Sequence, residues 1–335
     1  MRYSKLTSMI CAVAMAVFAL PAQANTKATL CVFDIIGASG DIYNMMKDYK
    51  TAALEWGVDL TLKVHTDEKI AAEDLKAGQC DAAAITGIRG RQFNQYTGSL
   101  DSVGALPSYK HVQLVLQVIA SGKVNDKLVS GQYEVMGIAP MGAAYLFVKD
   151  RTIDTVGELA GKSISVMEYD EAQASMASRV GMSPVMSDIT NFAGRFNNGS
   201  VDICFAPVAA YSALELYKGM QPNGGMIDYV LGQLSLQIIA RKDRFPEGFG
   251  DKSRKYMTGQ FDRAMRIIEN ANSEVDSKWW IRIPEADKAR YDEMMRESRI
   301  ELRDQGVYDP EMMTLLRKIR CSLDGSRAEC VNPLE

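Results

Sequence analysis

The sequence predicts an α/β protein of two lobes, each a doubly wound, mainly parallel sheet, with long bracing helices at the C-terminal end. Three observations predict it. Apolar strand-like runs alternate with helix-like stretches from residue 28 to 86 in βαβαβ order, the pattern of a parallel sheet. A spacing recurs: Leu75 to Asp81 and Phe196 to Asp202 both read apolar-x-x-Gly-x-x-Asp and both lead into an apolar run. In each, glycine ends a helix in the φ > 0 region and aspartate stands where a strand begins. Finally, 335 residues favour two lobes over one.

Residues 1–24 read as a cleavable leader: Arg2 and Lys5, the apolar stretch Met9–Leu20, then Ala22-Gln23-Ala24 as the small-x-small cleavage site. The apolar stretch is short for a membrane span, and no later run reaches the required ~18 residues. Cys11 follows the bulky Ile10 inside that stretch, which argues against a lipid-modified cysteine. The mature chain is therefore expected to start near Asn25, outside the cytoplasm. There are 38 basic and 42 acidic side chains, and loss of Arg2 and Lys5 makes the net charge about −6. That excludes a general nucleic-acid binder and permits a cationic ligand.

The first lobe spans 25–136. Ala28–Ile35 is a buried strand, because its apolar run is nearly continuous. A turn, Gly37-Ala38-Ser39-Gly40-Asp41, leads to a helix over Ile42–Trp56 with Met45, Met46, Tyr49, Ala52, Ala53 and Trp56 on one face. Gly57 ends it. Val58–His65 is the second strand, Glu68–Lys76 a short helix and Cys80–Thr86 the third strand, followed by the loop Gly87-Ile88-Arg89-Gly90. The glycine turn resembles part of a nucleotide-phosphate loop. Its third glycine position is Tyr43, however, and Asp41 would repel phosphate, so no cofactor is expected.

Residues 137–245 hold the crossover and second lobe. Ala143–Val148 and Ser163–Met167 are strands, joined through a helical piece, Thr155–Leu159, with Thr155 and Glu158 as a capping box before Gly161. A helix over Glu171–Val180, an extended Met182–Val185, a helix capped by Asp188 or Thr190 and ending at Asn197, a strand Asp202–Pro207 and a helix Ala209–Tyr217 follow. Leu234–Ala240 is long enough to return to the first lobe. From 246 to 335 helices dominate: Asp251–Ser273, Glu285–Gln305 and Pro310–Ile319, with Pro284 and Pro310 at helix starts. The charge run Arg296–Arg303 reads as a solvated helix face. Met-rich helices read as core. Trp279 and Trp280 read as packing against the neighbouring lobe.

Five cysteines remain after the leader, and export makes disulfides expected. Cys321 and Cys330 close a short polar loop. Cys31 and Cys80 lie near the same end of the sheet if their strands are parallel neighbours. Cys204 is then a buried free thiol. The histidines, His65 and His111, are isolated, and no C-x-x-C occurs, so no metal is expected.

The crossover resembles that of the solute-binding proteins of tripartite (TRAP-type) transporters. In that family a Tyr/Leu-rich strand, a basic loop and a strand of the pattern D-L-x-G-x-K-I-R-V open the second lobe. Here that stretch is Glu158-Leu159-Ala160-Gly161-Lys162-Ser163-Ile164-Ser165-Val166. The chain is also similar to exported AdeT-type proteins labelled as RND efflux components, though nothing in it resembles a pump with many spanning helices. The resemblance implies a two-lobed, type II-like periplasmic binding protein. It would act as a monomer, closing on a small molecule and serving an inner-membrane transporter or efflux complex. The family's carboxylate-binding arginine falls at Ser165, so that contact is not inherited. Arg89, from the opposite lobe, is the substitute.

Ligands on such sheets bind beyond the carboxyl ends of the strands. The expected pocket therefore takes Asp34, Ser39, Asp41, Thr86 and Arg89 from the first lobe, and Tyr145, Glu168, Tyr169, Asp170 and Phe205 from the second. Carboxylates beside aromatic faces suit a ligand with a cationic or polar amine group. Two readings compete: a solute-binding protein that closes over its ligand, and an accessory or sensor of the same fold that needs none. An enzyme is not expected, because no G-x-S-x-G, H-E-x-x-H or paired catalytic histidine is present.

Overall fold

The computed structural model describes residues 25–335; the expected leader lies outside the described residues. The strands are β1 (Thr26–Phe33), β2 (Val58–His65), β3 (Ala82–Thr86), β4 (Val129–Ser130), β5 (Tyr133–Val148), β6 (Ser163–Met167), β7 (Ser183–Ser187), β8 (Ile203–Pro207), β9 (Gly225–Ile227), β10 (Gly232–Arg241) and β11 (Trp280–Ile281). The main path across the sheet is β2-β1-β3-β10-β5-β8-β6-β7. In the first lobe β1 runs parallel to β2 and β3. In the second, β6 runs parallel to β7 and β8. Antiparallel β5 and β10 join them.

The long β5 is the main departure from expectation. Only Ala143–Val148 was legible as a strand, whereas β5 has 16 residues and reaches about 50 Å. Gly137, Pro140 and Gly142 disguise it. Proline lacks the N–H a ladder needs, and the pairing with β10 shifts there: Leu234 faces Gly142 and Ser235 faces Pro140, leaving Met141 as a bulge. The expected lobe boundary at 136 therefore falls inside a strand that both lobes share.

The recurring Gly-x-x-Asp spacing has one structural meaning in both lobes. Gly78 and Gly199 take φ of +73° and +75°. Asp81 accepts a hydrogen bond from the Thr29 N–H at 2.8 Å. Asp202 accepts from the N–H and the hydroxyl of Ser163, each at 2.8 Å. Asp81 thus ties the entry of β3 to the middle of β1, and Asp202 ties the entry of β8 to the start of β6.

Several helices differ from the sequence pattern. A helix over Tyr109–Ala120 was not anticipated. The expected Ala209–Tyr217 helix is two single turns, Ala210–Ala213 and Tyr217–Met220, with Glu215 at φ 53° between them. Asp251–Ser273 divides at Gln260 into Phe249–Gly259 and Phe261–Ser273. Asp188 closes a turn by accepting from the Thr190 N–H at 2.8 Å, and the helix starts later, at Phe192. The Thr155–Glu158 capping box is present.

The C-terminal helices brace both lobes. From the helix Glu285–Asp304, Tyr291, Met294 and Met295 enter the core of the second lobe, and Leu302 enters that of the first. The charge run on this helix is not simply solvated. Arg299 is buried, bonded to the Glu335 carboxylate at 2.6 Å and to the Val103 carbonyl at 3.0 Å. A buried guanidinium needs such partners to offset its lost hydration. Both expected disulfides, Cys31–Cys80 and Cys321–Cys330, are formed, and Cys204 is a buried free thiol. Trp279 is buried in the second lobe.

Candidate functional site

The lobes meet where β3 and β6 end. The Thr86 hydroxyl accepts from the Arg89 N–H at 3.2 Å and starts a one-turn helix, Gly87–Gly90, in place of the expected loop. That turn carries Arg89 to the second lobe, where its guanidinium lies 3.3 Å from the centre of the Tyr169 ring. Tyr169 stands in the turn after β6. Its hydroxyl donates to Glu68 Oε2 at 3.0 Å, while Glu68 Oε1 accepts from the Thr86 N–H at 2.6 Å. Burial pushes the Glu68 carboxyl above its ordinary range, against the hydrogen bonds and Arg89, which pull it down.

Arg89 is 6% exposed, yet its charge is poorly matched. Its Nε is 3.7 Å from Glu68 Oε2, beyond hydrogen-bond reach, and is buried without a partner. Among the described residues no carboxylate or carbonyl accepts a hydrogen bond from this guanidinium. The Tyr169 ring covers the flat face. It leaves the edge donors, the atoms with which an arginine grips a carboxylate.

Two further contacts cross between the lobes. Arg91 Nη1 donates to Asp170 Oδ1 at 2.9 Å, and Asp170 also accepts from the Ala172 N–H at 3.2 Å. Lys69 and Glu168 pair at 3.3 Å at the solvent-exposed rim. Deeper in, Asp101 accepts from the Ser235 hydroxyl at 2.6 Å, and burial pushes its carboxyl up to about 7. Beside it a cavity of about 30 Å³, lined by Asp101, Asp170, Gln173, Phe205 and Tyr308 among others, has room for one or two water molecules.

Of the residues expected at the site, Thr86, Arg89, Glu168, Tyr169 and Asp170 come together, and Phe205 lines the small cavity. The others lie apart. Asp34 is buried and accepts from the N–H groups of Ile36 and Tyr43, at 2.9 and 3.0 Å, which fixes the turn after β1. Ser39 and Asp41 are exposed on that turn, and neither bonds to the second lobe among the described residues. Tyr145 packs edge-on against Trp280, with ring centres 5.2 Å apart. Ser165 is buried against the Ser187 hydroxyl at 2.6 Å, so no cation stands at the family's arginine position.

Glu68, Arg91, Asp101 and Tyr308 were missed. Glu68 reads in sequence as an ordinary acidic first-turn residue of a helix, which it also is. No local pattern marks Arg91 or Asp101. Only the fold brings them to the cleft.

A family model described as Solute-binding protein AdeT 1/2 matches residues 50–334. The chain is 47% identical over 299 residues to Probable solute-binding protein AdeT1 of Acinetobacter baumannii, covering 89% of this chain and 98% of that protein. It is 26% identical over 233 residues to Probable solute-binding protein AdeT2 of the same organism, covering 70% and 98%. Solved TRAP periplasmic solute-binding proteins share the fold. The Haemophilus influenzae protein with bound L-gulonate matches at TM-score 0.73 and 12% identity, covering 88% of this chain and 100% of that one. The Xanthobacter autotrophicus protein with bound β-D-galacturonate matches at 0.72 and 15%, covering 88% and 99%. The Shewanella oneidensis protein with bound succinate matches at 0.71 and 11%, covering 88% and 99%. These are binding proteins, not enzymes, and the expected two-lobed fold is the one observed. The chain belongs to the AdeT1/2 family of solute-binding proteins, built on the fold of TRAP periplasmic binding proteins.

Proposed function

We propose that this protein captures a small solute between its lobes in the periplasm and passes it to a membrane transporter, with Arg89 anchoring an anionic group such as a carboxylate. The observation that carries this is the buried guanidinium of Arg89, which faces the opposite lobe with its Nε unpartnered and, among the described residues, no acceptor on its edge donors. A planar carboxylate fits those donors in pairs. The solutes held by the structural neighbours, gulonate, galacturonate and succinate, are all carboxylates. No helix among the described residues is long and apolar enough to cross a membrane.

An amine ligand has less support than the sequence suggested. Asp34 is occupied by backbone N–H groups, Asp170 by Arg91 and Glu168 by Lys69. Asp41 stands exposed on its own turn.

A thermal-shift panel of mono- and dicarboxylates, sugar acids, amino acids, polyamines, aminoglycosides and neutral sugars tests the proposal. A ligand at about 100 times its dissociation constant adds roughly 2.7 kcal/mol, a readable rise in midpoint. The expected result is a rise confined to carboxylates. A rise confined to amines would overturn the Arg89 assignment and restore an acidic pocket.

One observation favours a second reading. The lobes touch through direct pairs, Tyr169–Glu68 and Arg91–Asp170, and the cavity beside them is only about 30 Å³. An accessory protein of the same fold, acting on a membrane complex without its own solute, would be built this way. It predicts no shift with any class.

A further inference from the structure

Four side chains with metal-binding chemistry converge in the first lobe, away from the cleft contacts. Cys31 lies on β1, His65 ends β2, Asp74 stands on the helix Glu68–Lys76, and Cys80 precedes β3. His65 Nε2 is 3.3 Å from Cys31 Sγ and 3.4 Å from Asp74 Oδ2. Cys31 Sγ is 3.9 Å from the same oxygen. Cys80 Sγ is joined to Cys31 Sγ.

The three spacings among Cys31, His65 and Asp74 make one face of a small tetrahedron. Zinc binds sulfur at ~2.3 Å, imidazole nitrogen at ~2.0–2.1 Å and carboxylate oxygen at ~2.0–2.2 Å, so neighbouring ligand atoms stand about 3.3–3.8 Å apart. The three measured separations fall at or close to that range. Cys80 Sγ lies outside this group of three, bonded to Cys31, and can take a fourth corner only once the disulfide opens. The disulfide and the metal site are therefore alternatives.

We propose that, once the Cys31–Cys80 disulfide is reduced, Cys31, Cys80, His65 and Asp74 form a four-coordinate zinc site. A dithiol supplies the two electrons and two protons. The S–S bond breaks to two thiols, and the dithiol is oxidised to a disulfide. On binding Zn²⁺ the two thiols release their protons and bind as thiolates, His65 binds through Nε2 and Asp74 through Oδ2. Lys63, which pairs with Asp74 at 2.6 Å, is half exposed and swings into water at small cost. Cys31 and Cys80 are buried, whereas Asp74 and the edge of His65 reach the surface and give the ion a way in. The disulfide ties β1 to the entry of β3, and the metal would add β2 and the helix, so the lobe stays cross-linked in both redox conditions.

The test uses the full mature chain carrying Cys321→Ser and Cys330→Ser, which leaves this pair and the buried Cys204. The protein is reduced with dithiothreitol, desalted without oxygen and titrated with Co²⁺. The expected result is one equivalent bound, with thiolate-to-cobalt charge transfer and the intense visible bands of tetrahedral cobalt. The oxidised protein should show neither. Zinc should displace the cobalt and raise the melting temperature of the reduced protein only. His65→Ala and Asp74→Ala should each weaken binding by more than about tenfold, the least that loss of even an outer partner usually costs. Equal binding in both variants would overturn the site. So would a reduced protein that shows no thiolate bands, or one that loses its helical circular dichroism and is not refolded by one equivalent of zinc.

Discussion

Replacing Asp101 with Asn should reverse the order of stability between acid and alkaline pH. Asp101 is 8% exposed and accepts from both the hydroxyl and the N–H of Ser235, at 2.6 and 3.1 Å. The cation that could neutralise it, Arg91, is bonded to Asp170. Burial therefore dominates and lifts the carboxyl from 3.8 to about 7. The folded state holds this proton more tightly than the unfolded state does. The contribution of Asp101 to stability is thus complete below about pH 4 and is lost as pH rises to about 7. One proton gives about 1.4 kcal/mol per pH unit, so the whole window is worth about 4 kcal/mol at most. Asparagine does not titrate, but its amide cannot accept both Ser235 donors, which costs about 1–2 kcal/mol at every pH. The variant should be less stable than the parent at pH 4.5 and more stable at pH 8. Glu68, also raised, and His65 and His111, both lowered by burial, are common to the two proteins and cancel in the difference. Urea unfolding followed by circular dichroism at pH 4.5, 6 and 8 measures it. A constant offset across that range would refute the reasoning, because Asp101 would then not be titrating in the folded protein.

Two smaller perturbations follow from the same geometry. Arg91→Ala should cost about 3–5 kcal/mol in urea unfolding, because it leaves the 3%-exposed Asp170 without its cation, and adding Asp170→Asn should recover part of the loss. Gly199→Ala should cost about 1 kcal/mol from backbone strain alone, since its φ is +75° and nothing lies within 4 Å of the added carbon. Gly78→Ala should cost about the same 1 kcal/mol, because its φ is +73° and the one close contact of the added carbon, Arg241 Nη1 at 2.5 Å, is the end of a side chain that can move aside.

The parts of the fold that were legible in sequence are those whose signal is local. The runs Ala28–Phe33 and Ile203–Pro207 are nearly continuous apolar strands because both faces are buried, and Leu234–Ala240 reads as a strand although its alternating Ser235 and Gln237 are buried too. The two Gly-x-x-Asp segments could be matched because the same helix end and the same strand tie recur. β5 was half hidden because a bulge tolerates the proline and glycines that normally end a strand. The Ala209–Tyr217 helix failed because apolar spacing does not register the left-handed Glu215 that splits it.

The site follows the same division. Thr86 and Arg89, and Tyr169 and Asp170, could be placed because each immediately follows a strand whose end faces the other lobe. The same rule over-reached at Asp34, Ser39 and Asp41. Their strand is one place further from β5, and the Asp34 carboxylate is turned back on its own loop. Glu68 and Arg91 act through partners about 80 to 100 residues away, Tyr169 and Asp170, and no local pattern encodes that. Arg299 read as surface for a similar reason, because its partner Glu335 lies on a different segment.

The central claim is that Arg89 anchors the solute. The most direct measurement is isothermal titration calorimetry of the carboxylate giving the largest thermal shift, against the parent protein, Arg89→Ala and Arg89→Lys. Removing one partner of a buried charge pair costs about 2–5 kcal/mol, so Arg89→Ala should weaken binding about 30-fold or more. Lysine keeps the charge but not the paired donors, and should fall between. Unchanged affinity in Arg89→Ala, with the variant folded, would contradict the account and place the solute elsewhere.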